Sequence, residues 1–283
     1  VEQTFKIVRD YEYNLYLAAL YGGSVNREAI FSLCAFFAEL GRVKHQVNEE
    51  VTGLIRLAWW REAIEEIYSK KRHRQHDVLS GIHSAIVDFK IEHGQLSRLI
   101  SSFEKTLETV PYHTLEGFNQ ACADRYTTLF TLLADVSGIK VSPENLEIES
   151  LENLGQIYGI IDAILDAYPQ YNKNRLSIPT ELFGEGFLKD SDVNAADFQL
   201  RDVITPQMLG DACAEFSAVL AEKIHSAKRA TVEEFPSPMF GPMFAKLLKI
   251  CAYYSRTFNR KSFDFSKPAS YPSRIKRVIK VIL

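Results

Sequence analysis

Asp162 and Asp166 are the side chains best spaced for chemistry in this sequence. They stand four residues apart in Gly155-Gln-Ile-Tyr-Gly-Ile-Ile-Asp-Ala-Ile-Leu-Asp-Ala-Tyr-Pro-Gln170. On a helix that spacing puts both carboxylates on one face, where a pair can reach one divalent cation. The plainer alternative is a surface-facing or tyrosine-bonded pair near a helix C-terminus. Negative charge there is mildly unfavourable against the helix dipole and asks for a partner, for which Arg175 is the candidate. A second cluster is the basic run Lys70-Lys-Arg-His-Arg-Gln-His76. It suits a phosphate or an anionic lipid surface, or else a solvated helix end favoured by the dipole. Its two histidines lack the further ligands a metal needs, since only Asp77 stands adjacent.

The elements that must position these groups are helical. Residues 4–20 carry Phe5, Val8, Tyr11, Leu15 and Ala18 on one apolar face, and Gly22-Gly23-Ser24 ends that helix. Asn26 is the expected N-cap of the next, which runs through Phe31, Cys34, Ala35 and Ala38. Further helices are expected over 49–70, 77–92, 95–109, 114–136, 145–168, 206–231 and 239–258. Pro111, Pro143, Pro169, Pro179, Pro206 and Pro236 punctuate their ends. Helical phase sends Trp59 and Trp60 to different faces, one of them into the core. No alternating strand run and no internal repeat is present. Residues 184–202 are polar and irregular. The basic amphipathic segment Arg274-Ile-Lys-Arg-Val-Ile-Lys-Val-Ile282 is expected to dock on the core, with a partner or a membrane surface as alternatives. The expected fold class is all-α, about eight to ten helices in one domain over residues 1–283.

Composition narrows the partners. With 46% hydrophobic and 24% charged residues, the chain can bury a sizeable core. A net charge of −3 gives no global field toward nucleic acid or an anionic membrane. Cys34, Cys122, Cys213 and Cys251 lie far apart in apolar helical stretches, and read as buried thiols in a reducing compartment. No stretch reaches the roughly 18 to 20 apolar residues that span a bilayer, and no signal peptide is visible. A removed presequence or a trimmed start would each account for Val1.

The motifs together resemble the squalene/phytoene synthase family. Arg9-Asp10-Tyr11-Glu12 with Leu15, and Arg27 with Phe31-x-x-Cys34-Ala35-Phe36, match its first part. So does Gly53-Leu-Ile-Arg-Leu-Ala-Trp-Trp-Arg-Glu-Ala-Ile64 with Ile67-Tyr68. The run from Gly155-Gln156 to Asn174-Arg175-Leu176-Ser177-Ile178-Pro179 is similar to its second signature, which ends in Arg-x-x-x-Pro. The resemblance covers residues 5–183 well and the part from about 184 loosely. It implies an isoprenoid (terpenoid) synthase-like helical bundle around a central cavity, which Tyr126, Tyr158, Tyr168 and Tyr171 would line. It also implies head-to-head condensation of two prenyl diphosphates, with Mg²⁺ on paired aspartates acting as a Lewis acid on the departing diphosphate.

The departures from that family are specific. Its first set of aspartates falls at or near Gly41, Arg42 and His45, none a carboxylate. Glu39 is out of register, turned about 200–300° from the metal-facing positions. Arg42 puts a cation where a cation should be held. In the second set Leu165 replaces a phosphate-facing arginine, and Pro169 and Gln170 replace two acids. Phe103-Glu-Lys-Thr-Leu107 replaces an Arg-Glu-x-Asp-Leu element, and a glycine of the family's flexible mid-helix segment is lost near Phe130. The segment Ala35-Phe-Phe-Ala-Glu-Leu-Gly-Arg-Val-Lys44 followed by Gly53-Leu-Ile-Arg-Leu57 is most similar to a non-catalytic branch that serves in assembly of respiratory complex I. That resemblance implies a pseudoenzyme without cofactor. It would act with complex I subunits or assembly intermediates, on the matrix side of the mitochondrial inner membrane or in a bacterial cytoplasm. Peripheral membrane contact and a prenyl or lipid ligand are compatible with the role; nucleic acid is not implied. The alternatives are a non-catalytic prenyl or lipid binder and an active prenyl transferase. In the latter, Asp162 and Asp166 would hold Mg²⁺, and Arg42 and Arg175 the diphosphate. As a loop residue, Arg175 either binds phosphate or caps the loop.

Overall fold

The protein is described by a computed structural model covering residues 2–70, 74–139, 146–184, 186–188, 190–193, 197–233, 241–260, 263–265, 267, 271 and 273. Part of the basic run at 70–76 and all of segment 274–282 lie outside the described residues. Among the described residues the regular structure is helical throughout, as the apolar period predicts. In chain order the helices are α1 (Glu2–Tyr11), α2 (Tyr13–Ala19), α3 (Arg27–Gln46), α4 (Glu50–Tyr68), α5 (Asp77–Phe89), α6 (His93–Glu104), α7 (Leu115–Cys122) and α8 (Thr128–Val136). They continue as α9 (Leu146–Tyr171), α10 (Asp190–Val193), α11 (Leu200–Val203), α12 (Pro206–Glu233) and α13 (Gly241–Phe258). A π-helical turn, Ala123–Thr127, joins α7 to α8.

Helix α3 is apolar nearly all round. Ile30 to Ala38 is buried without interruption, which places this helix at the centre, packed by α1, α5 and α8. Helix α9 is the second long axis, packed against α12 and the π-helical turn. Two of its glycines permit that approach. A Cβ on Gly159 would stand 2.3 Å from Cys122 Sγ, and one on Gly155 2.6 Å from Thr127 Oγ1.

Between these axes the bundle is filled by rings. Phe103, Phe37, Tyr126, Tyr158, Phe130 and Phe244 form a chain of successive aromatic contacts with centroids 5.1 to 6.2 Å apart. Such edge-to-face and tilted pairs add to the burial of large apolar surface. All four cysteines are buried. Trp60 is buried against Phe36, whereas Trp59 is 37% exposed and lies beneath Arg74.

Three local features differ from the expected helices. The single helix over 4–20 breaks at Glu12 (φ −126°, ψ 58°), and the break leaves that carboxylate facing Tyr158 across 3.3 Å. The helix over 114–136 carries the π-helical turn. Helix α9 continues past Pro169 to Tyr171. Proline removes one backbone donor there, but the turn is held by Tyr171, buried with its hydroxyl donating to Ile204 O at 2.6 Å.

Candidate functional site

The retained aspartates meet a lysine. Leu33, Phe37, Leu40 and Lys44 follow one another at steps of four and three residues along α3, and all four are buried. Burial of that row carries the Lys44 ammonium into the bundle, where α9 presents Asp162 and Asp166. Lys44 Nζ lies 3.4 Å from Asp162 Oδ2 and also pairs with Asp166 Oδ2. Tyr126, from the π-helical turn, donates to Asp162 Oδ2 at 2.7 Å. One cation thus lies against both carboxylates, and a hydroxyl supports one of them.

The electrostatics follow from this contact. Burial opposes charge on Lys44, but Asp162 and Asp166 outweigh it and hold the ammonium's pKa above its ordinary value. Burial likewise opposes charge on Asp162, but Lys44 and the Tyr126 hydroxyl bring its pKa below the usual carboxylate value. Glu12 behaves in the opposite way. Burial, with the neighbouring Asp162 charge, pushes it up to about 8 despite Lys44 and the Tyr158 hydroxyl. His45 stands 3.6 Å from Asp166 Oδ1, too far for a hydrogen bond, and burial lowers its pKa against the pull of that carboxylate.

The two arginines named from the sequence lie apart from this cluster's centre. Arg42 donates to Glu39 Oε1 at 2.5 Å and stacks over the Tyr11 ring, 3.8 Å from its centroid. Arg175 is 3% exposed and donates to Lys44 O at 2.9 Å and Val47 O at 3.1 Å. It caps the C-terminal end of α3, where a cation also meets the negative end of the helix dipole. Of the four candidates, Asp162 and Asp166 are brought together. The cation between them is Lys44, not the Arg175 that the sequence offered as their partner. Lys44 and Glu12 were not read as site residues. The signal for Lys44 was its place at the end of the apolar row Leu33–Phe37–Leu40.

These residues do not fit a Mg²⁺ ion. Mg²⁺ takes six oxygens in near-octahedral geometry, usually one or two of them carboxylates. Here an ammonium fills the space between the carboxylates, and Gly41, Arg42, His45, Pro169 and Gln170 supply none. Among the described residues no group of three or more His, Cys, Asp or Glu side chains is arranged for a metal. Beside the cluster lies a cavity of about 250 Å³, bordered by Tyr11, Phe37, Phe103, Tyr126 and Tyr158. Pockets for small molecules run from about 300 to 1,000 Å³, so this one is small for a prenyl diphosphate. No helix among the described residues is long and apolar enough to cross a membrane.

Comparison with known proteins gives a consistent picture. The sequence model described as "Squalene/phytoene synthase" matches residues 8–276. Curated relatives named NADH dehydrogenase (ubiquinone) complex I, assembly factor 6, from Bos taurus and Homo sapiens are each 25% identical over 206 residues. The alignments cover 70% of this chain and 59% of those relatives' length. The Rattus norvegicus protein of that name is 24% identical over 269 residues, 93% of this chain and 75% of its own. Squalene synthase HpnC from Alicyclobacillus acidocaldarius superposes with a TM-score of 0.66 over 91% of this chain and 90% of its own, at 13% identity. A dehydrosqualene synthase in complex with ligand does so with 0.68 over 99% and 93%, at 10% identity. The fold is that of these isoprenoid synthases.

Proposed function

Because this chain belongs to the squalene/phytoene synthase family, we propose that it is a non-catalytic member of it, acting in the assembly of respiratory complex I. The observation that carries the first half is Lys44 between Asp162 and Asp166. Expelling diphosphate from carbon needs positive charge delivered to the leaving oxygens as the bond breaks. In this chain the two carboxylates that would hold such charge are engaged from within by the Lys44 ammonium. Losing one transition-state stabiliser typically costs about 10²–10³ in rate, and here several of the family's groups are missing, Gly41, Arg42 and His45 standing at one end of the site and Leu165, Pro169 and Gln170 at the other. The ring chain from Phe103 to Phe244 further restricts the space a C30 or C40 product would occupy.

The second half rests on the relatives named as complex I assembly factors, which match over 59% of the bovine and human proteins' length. The partners are then complex I subunits or assembly intermediates. The place of action is then the matrix side of the mitochondrial inner membrane, or the cytoplasm in a bacterial host, and no cofactor is needed. Two measurements test the reading. Purified protein incubated with farnesyl or geranylgeranyl diphosphate and Mg²⁺ is expected to release no pyrophosphate. Turnover that Asp166→Ala abolishes would sink the non-catalytic half. Deletion of the gene is expected to lower complex I activity while sparing the other respiratory complexes; an unchanged complex I would sink the other half.

A further inference from the structure

Helix α4 is apolar on two sides. Leu57, Trp60, Ile64 and Ile67 are buried on the side the bundle uses. Val51, Leu54, Ile55, Ala58 and Trp59 are exposed. Their spacing puts them in one stripe down the opposite side of the helix. Val51 is 67% and Ile55 66% exposed. Of the nine large apolar side chains exposed among the described residues, four lie in this stripe. Scattered singly they would need no explanation. Gathered, they leave roughly 400 Å² of apolar surface open, the size at which a patch on a soluble protein commonly serves an interaction.

The charges around the stripe select its partner. Exposed Glu49, Glu50, Glu62 and Glu65 border it, which suits an anionic lipid surface poorly. Glu50 and Arg61 stand on one edge, eleven residues or three turns apart. They lie five residues before and six residues after Ile55, the midpoint of the stripe. Two such helices laid antiparallel about a two-fold axis at Ile55 bring Glu50 of each copy level with Arg61 of the other, on the same edge. Arg61 reaches back to Glu104 at 2.5 Å and Ser101 at 3.1 Å, and its side chain is still 40% exposed. Glu62, at that end, is held by Arg74 at 2.8 Å. The same alignment sets Ile55 on Ile55 and Val51 beside Trp59. A face that matches itself in this way is what a two-fold dimer requires.

We infer that the exposed stripe of α4 is a docking surface for a second copy of this chain, in an antiparallel α4–α4 pairing centred on Ile55. The area fits. A homodimer interface of standard size buries about 800 Å² per partner, about two-thirds of it apolar. The stripe supplies most of that apolar share, and the rest of the area falls to its polar borders. Ion pairs at such a rim contribute little affinity but fix the register. The pairing uses neither the ion cluster nor the assembly role.

The test is the mass of the full chain by sedimentation equilibrium at micromolar concentration. The wild type is expected to be a dimer. Ile55→Asp sets two carboxylates against each other on the axis, and is expected to give a monomer with unchanged Tm. Glu50→Arg is expected to weaken self-association about tenfold. Ile55→Cys reads the geometry. All four native cysteines are buried, so under mild oxidation the new thiol is expected to link two copies. Val87→Cys, at an exposed position of α5, is expected to link far more slowly. A wild type that stays monomeric overturns the inference, whether its stripe then binds vesicles of anionic lipid or nothing. So does a dimer that Ile55→Asp leaves intact, or one in which Ile55→Cys links no faster than Val87→Cys, since the copies then meet on another face.

Discussion

The Tyr126 hydroxyl donates to Asp162 Oδ2 across 2.7 Å, on the same oxygen that Lys44 approaches at 3.4 Å. Three separate segments, α3, the π-helical turn and α9, therefore converge on one carboxylate. A charge held in this way links helices and is not free to gather a metal.

Lys44→Met is expected to destabilise the fold strongly. Removing one partner of a buried ion pair costs about 3–5 kcal/mol, because the remaining charges stay buried. In Lys44→Ala the two aspartates face each other across open space. Millimolar Mg²⁺ should then raise Tm in that variant and not in the wild type. Denaturant unfolding with and without Mg²⁺ reads both effects, and a Lys44→Ala chain as stable as wild type would contradict the central role of the pair.

Glu12 predicts a pH dependence of definite sign. Its carboxyl titrates near 4.5 when unfolded and at about 8 when folded. Below the lower value both states hold the proton and the site is neutral at no cost. Between the two the folded chain holds the extra proton, so its contribution to stability falls as pH rises, and the fall levels off above about 8. Glu12→Gln removes that slope. Its Tm should gain on wild type as pH is raised from about 5 to about 8; parallel curves would contradict the buried, protonated state.

Arg175→Met should cost about 3 kcal/mol, the scale of charge-assisted hydrogen bonds lost at a helix end. Arg175→Lys should recover only part of it. A single ammonium cannot reproduce the fork that reaches Lys44 O and Val47 O together. Equal stability of the lysine variant and wild type would show that charge alone matters.

The glycines of α9 should be intolerant of a methyl group. Gly159→Ala forces a Cβ to 2.3 Å from Cys122 Sγ, and overpacking of this kind costs about 1–3 kcal/mol. Gly210→Ala in α12 is the control. Its Cβ would meet only the Tyr168 hydroxyl at 3.4 Å, so helix propensity should leave it neutral or stabilising by up to about 1 kcal/mol.

The helices were legible because their apolar residues recur at three and four. That signal says little about where a helix is locally overwound or extended. Nothing in the period around Phe118, Cys122 and Tyr126 announces the π-helical turn. Pro169 reads as a stop, yet tertiary packing of Tyr171 carries α9 past it. In the site, Asp162 and Asp166 were legible from spacing on one helix. Their cation was not, because Lys44 is separated from Asp162 by 118 residues and only the fold brings them together. Glu12 shows the same limit: its partner Tyr158 lies 146 residues away.

Arg175 closes the end of α3 from 131 residues further along the chain. At synthesis rates of about 5–20 residues per second, the carbonyls of Lys44 and Val47 wait roughly 7–26 s on the ribosome before their cap exists. For most of that interval Lys44 also lacks both of its aspartates, since Asp162 follows it by 118 residues. The first half of the bundle therefore emerges as an incomplete intermediate with a cation in its apolar row, and a chaperone encountering the nascent chain would meet it in that state.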